Sequence, residues 1–76
     1  MIGNLEQICI AFYQGKSVPA YEAFQQMLPQ IISKLEKTGQ TGLKVLHLIL
    51  DEVEHRDWVL VADYINFELI PLLQEG

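Results

Sequence analysis

The chain has 76 residues, half of them apolar, with ten acidic side chains against five basic ones and a net charge of -5. One domain is all this length supports, and folding buries only roughly 60% of the surface that so short a chain exposes when unfolded. The five cations, Lys16, Lys34, Lys37, Lys44 and Arg56, form no stripe that could neutralise phosphates, which argues against nucleic acid and against an anionic membrane surface as partners.

The first predicted helix runs from about Asn4 to Gln14, because Leu5, Ile8, Cys9 and Phe12 recur at the spacing of one helical face. Gly15 ends it. Cys9, the lone cysteine, sits in this apolar run; it has no partner for an internal disulfide and reads as an inert small hydrophobe, in keeping with a reducing cytosol. The N-terminus shows no basic leader followed by a long apolar run, so no signal peptide is expected.

Ser17 is a good N-cap for a second helix, with Pro19 in its first turn, where a missing N–H costs little. Phe24, Met27 or Leu28, Ile31 and Leu35 form its inward face, and Lys34 and Lys37 suit the negative end of its dipole. Pro29 removes one backbone hydrogen bond and disfavours helical geometry at Leu28, so a kink or a break is expected there. Gly15-Lys16-Ser17 matches the end of a phosphate-binding loop, but it lacks the upstream glycine and the preceding strand and reads as a helix boundary. The stretch from Thr38 to Gly42 is the clearest loop.

A third helix is expected from Leu43 to about Glu54, with Leu43, Leu46, Ile49, Leu50 and Val53 on one side. His47, Asp51 and His55 fall four residues apart on the other side, a spacing that permits metal ligation. They occupy the polar face of a clean amphipathic stripe with no further His or Cys nearby, so a solvated face without metal is the expectation.

Asp57 then serves as the N-cap of a last helix opened by Trp58 and running to Leu73. The alternative, one uninterrupted helix from Leu43, would extend about 47 Å at 1.5 Å per residue, long for so small a domain. The last helix is apolar almost all the way round and must be covered on several sides. At about 16 residues it is short of the ~20 that a bilayer crossing needs. Glu68, flanked on the helical wheel by Tyr64, Ile65, Pro71 and Leu72, is expected to be substantially buried and hydrogen-bonded, in a structural rather than a catalytic role. Asp63 and Asn66 mark the water-facing edge. Trp58, Tyr64, Phe67 and Glu68 are therefore the candidate buried-polar or interface residues. The seven aromatic residues lack basic neighbours and read as core rather than as a base-stacking platform.

The pattern Asp57, Ala62-Asp63, Phe67-Glu68-Leu69 and Pro71-Leu72-Leu73 resembles the C-terminal end of a family of small uncharacterised helical proteins of Gram-positive bacteria. The likeness covers about a quarter of the chain and carries over no active-site residue. Size, acidity and helical make-up are also similar to those of bacterial secretion and flagellar export chaperones, traits shared by many bundles.

These readings converge on an all-α, up-and-down bundle of about four helices forming a single domain over residues 1–76. The expected function is that of a non-enzymatic cytoplasmic interaction module without cofactor, self-associating as a homodimer or shielding an apolar helix of a partner protein. The alternative is a small-molecule-binding or enzymatic domain centred on Glu68 and Tyr64.

Overall fold

Backbone hydrogen bonding organises the chain as α1 (Ile2–Tyr13), α2 (Ser17–Leu35), a 3-10 turn (Glu36–Thr38), α3 (Gln40–Glu54), α4 (Trp58–Tyr64), a π-helical segment (Ile65–Leu69) and α5 (Ile70–Glu75). The computed structural model describes residues 1–75. From Trp58 to Glu75 the three last elements follow one another without a gap, so four helical runs pack as the all-α bundle that the periodicity predicts. No helix among the described residues is long and apolar enough to cross a membrane.

The sequence sets the ends of these helices by local chemistry. At the end of α1, Gly15 adopts φ +82°, its N–H donates to the Phe12 carbonyl at 3.1 Å, and the Lys16 N–H donates to that of Ala11 at 2.9 Å. This left-handed closure satisfies carbonyls that a helix end otherwise leaves unpaired. It leaves Lys16 as the residue before α2, so Ser17, expected as the cap, is instead the first helical residue and makes no capping hydrogen bond. The same closure recurs after α3, where the N–H groups of Arg56 and Asp57 donate to the Val53 and Glu52 carbonyls at 3.0 and 3.1 Å. Here a non-glycine residue, Arg56, carries the positive φ of 59°. Asp57 then accepts the Leu60 N–H on its side chain at 3.2 Å, the cap that the sequence predicts.

At Pro29, where a kink or a break is expected, the break does not occur: α2 continues through it as one helix. Pro29 and Gln25, whose carbonyl loses its donor, both lie on the exposed side, where water can replace the missing bond. The predicted loop from Thr38 to Gly42 shrinks to Gly39, whose φ of 70° and ψ of -145° belong to a region open essentially to glycine alone. Gly42 lies inside α3 and is buried against the end of α2: a Cβ there would collide with the Thr38 hydroxyl and come within 2.8 Å of Leu35 Cδ2. The inward stripe of α3 is accordingly Gly42, Val45, Leu46 and Ile49, and Leu43 is exposed.

α1 packs against both α2 and α4, α4 also packs against α3, and α2 and α3 touch sparingly. The core takes Leu5, Ile8, Cys9 and Phe12 from α1 and Ala20, Phe24, Met27, Ile31 and Leu35 from α2. These faces are the predicted ones, with Met27 chosen over Leu28. The accessible surface, 4744 Å², matches the roughly 4700 Å² of a compact monomer of this size. The apolar side chains that remain outside therefore reflect composition rather than loose packing.

Candidate functional site

Along the C-terminal run the buried residues are Val61, Ala62, Ile65, Leu69, Ile70 and Leu73. In an α-helix each four-residue step rotates the face by about 40°, so Val61, Ile65, Leu69 and Leu73 would spiral away from the core. The π segment, with its wider i to i+5 turns, holds that drift back and keeps the four on one side. A wheel drawn at uniform α-helical pitch misplaces the residues inside this segment. Glu68 is the casualty: the expectation of a buried, hydrogen-bonded carboxylate is wrong, because Glu68 is exposed and no polar or charged side chain is buried among the described residues. Phe67 beside it is 67% exposed, while Trp58 and Tyr64 are half-buried against the core.

The last helix meets α1 in antiparallel fashion. Phe12 stacks on Trp58 with ring centroids 5.7 Å apart and planes 11° from parallel, and Tyr21 tilts onto the same indole at 5.9 Å. One turn further along, the Cys9 thiol donates to the Ala62 carbonyl at 3.6 Å. On the outer side of this seam the Tyr13 hydroxyl donates to the Asp63 carboxylate, joining residues fifty positions apart. Around that bond Ile10 is 47%, Tyr13 46% and Val59 57% exposed. Phe67, 67% exposed, follows Asp63 by one turn on the last helical run. Of these exposed residues the sequence reading singled out only Phe67. The available signal was a second apolar spacing on α1, Ile10 to Tyr13, outside the core stripe.

The seam perturbs two titrating groups. Burial pushes the Cys9 thiol up from 9.0 to about 11, with the negative charges of Asp63 and Glu6 adding to the effect. Donation to Asp63 is the main cause that raises the Tyr13 hydroxyl from 10.0 to about 12, followed by desolvation and the charges of Asp63 and Cys9. Both groups hold their protons more tightly folded than unfolded, so the folded state binds more protons in alkali and stability falls as pH rises. For Cys9 this contribution is complete below pH 9 and is lost on passing through about 11. Urea midpoints of the wild type should drop across that window, and those of Cys9→Ala should drop less. Equal declines in the two proteins would show that the thiol is not responsible.

The other candidates from the sequence do not assemble a reactive site. His47, Asp51 and His55 are all exposed, and the His55 Nδ1 lies 2.8 Å from the Asp51 backbone carbonyl, where it donates to the end of its own helix. No three His, Cys, Asp or Glu side chains come together as a metal-ligand group among the described residues. A shallow groove of about 440 Å³ between α1 and α2 is walled by Ile8, Ala11, Pro19, Ala20, Ala23 and Met27. Another of about 570 Å³ opens beside Tyr21, Glu22, Val53, Arg56 and Trp58. Neither of these two grooves is lined by Tyr64 or Glu68. No protein-family model matches the chain, and neither a curated protein nor a solved structure is significantly similar to it.

Proposed function

We propose that the protein is a non-enzymatic, cytoplasmic protein-interaction module that works through the face formed by α1 and the Trp58–Glu75 run. The observation that carries this reading is Phe67, an aromatic side chain two-thirds exposed on a π turn, with Ile10, Tyr13 and Val59 exposed around the adjoining seam. Large aromatics in a desolvatable apolar patch are the usual anchors of protein interfaces, and π turns occur often at functional positions.

Self-association as a two-fold dimer is the second reading, favoured by further exposed apolar side chains away from that face, Leu43 and Leu48 on α3. In-cell photocrosslinking tests both. A photoreactive phenylalanine analogue replacing Phe67 should yield discrete adducts, whereas the same analogue replacing Val18, equally exposed on α2, should not. An adduct at twice the chain mass identifies the dimer. No adduct at Phe67 beyond the Val18 level overturns the proposed face.

A further inference from the structure

We infer that the α1/α4 face docks a cationic amphipathic helix of another protein rather than a second copy of this chain; the inference rests on the interaction reading above. The chemistry of the two helices that build the face is one-sided. α1 (Ile2–Tyr13) contains no Lys, Arg or His, and neither does the whole stretch from Trp58 to Glu75. Every formal side-chain charge they carry is negative: Glu6 and Asp63 both act on the buried Cys9 of the seam, and Glu68 is exposed beside Phe67 in sequence.

The placement of these groups follows from the seam. The Tyr13–Asp63 hydrogen bond fixes α1 and α4 side by side with their outer residues in register. Ile10 lies one turn from Tyr13 on α1, and Val59 and Phe67 lie one turn either side of Asp63 on the last helix. Val59 to Phe67 therefore spans about 12 Å at 1.5 Å per residue. That is about two turns of a partner helix, the length over which i, i+3, i+4 and i+7 side chains serve as anchors. Asp63 already has one partner in Tyr13, whereas the Glu6 and Glu68 carboxylates are exposed and available to lysine or arginine side chains flanking such a stripe.

A two-fold dimer through the same face would oppose acidic groups to acidic groups with no cation on either helix to separate them. Like charges brought together across an interface oppose association. A helix with an apolar stripe and basic flanks covers Phe67, Ile10 and Val59 and neutralises the carboxylates at the same time. The basic residues of this protein lie off these two helices, at the α1–α2 and α3–α4 turns and around the α2–α3 connection.

The test uses fluorescence anisotropy with the intact protein and two labelled amphipathic helical peptides of about 18 residues, five turns, one of leucine and lysine and one of leucine and glutamate. The leucine–lysine peptide should bind in the micromolar range and weaken with added salt. Phe67→Ala, and separately the charge reversal Glu6→Lys with Glu68→Lys, should each weaken it by roughly tenfold or more. Amide shifts in the wild type should map to the Tyr13–Asp63 seam. All three substituted positions are exposed, and helical circular dichroism confirms that the variants fold. Equal binding of both peptides with loss on Phe67→Ala would overturn the cationic partner while leaving an interaction face. Lysine-peptide binding indifferent to these variants, or no binding of either peptide to a monomer, would overturn both. A wild-type dimer that Phe67→Ala dissociates would assign the face to a second copy and overturn the inference alone.

Discussion

Replacing Phe12 with alanine is expected to lower the stability of the protein by about 3–5 kcal/mol, the usual cost of truncating a buried phenylalanine. Phe12 is 2% exposed and stacks on Trp58, so the substitution opens a cavity at the junction of α1 and α4 and removes an aromatic contact worth about 0.5–1.5 kcal/mol in its own right. The whole chain has only roughly 4–11 kcal/mol to lose at the usual stability per residue. The variant should therefore lose a large share of its stability, read as a strongly lowered urea midpoint followed by indole emission. Phe67→Ala, at an exposed position, serves as the control and should stay within about 0.5 kcal/mol of wild type. A small effect at Phe12 would show that the α1–α4 junction is not the centre of the core.

Gly42→Val should cost about 1–3 kcal/mol, the range for forcing atoms into a packed interior. The expectation runs against local propensity, because replacing a mid-helix glycine ordinarily helps an α-helix by several tenths of a kcal/mol. Tertiary contact reverses the sign. The new Cβ meets the Thr38 hydroxyl and the fully buried Leu35 side chain. That hydroxyl donates to the Leu35 carbonyl at 2.7 Å, so moving it strands an acceptor at the end of α2 as well. Thermal melts of Gly42→Val with and without Thr38→Ala should be non-additive, the second substitution relieving part of the first. A stabilised Gly42→Val would mean that the α2 and α3 ends stand further apart than described.

Much of the fold is legible in the sequence where local rules suffice. Leu5, Ile8, Cys9 and Phe12 announce the buried face of α1 by spacing alone, and Asp57 announces the start of the last helix by its capping chemistry. What spacing cannot show is where one helix presses on another. Gly42 reads as loop because glycine ordinarily breaks helices, yet it stands inside α3 at a point where Thr38 and Leu35 leave no room for a side chain. Glu68 reads as buried because a wheel assumes constant pitch, and the π segment from Ile65 to Leu69 changes that pitch. The pairing of α1 with the last helix is hidden for a related reason: the Tyr13–Asp63 hydrogen bond joins residues fifty positions apart.

The junction of Phe12 with Trp58 also bears on the order in which the protein assembles. The α1–α2 and α3–α4 pairs are closed by connections of three residues each, Gln14–Lys16 and His55–Asp57, so each pair can form by local search. Joining α1 to α4 requires the ends of the chain to meet, and loop-closure entropy must be met before those distant contacts reward it. Trp58 is the sole tryptophan and stands at that late contact. Its emission should therefore report the docking of α1 on the C-terminal run, a long-range step, rather than the winding of any one helix.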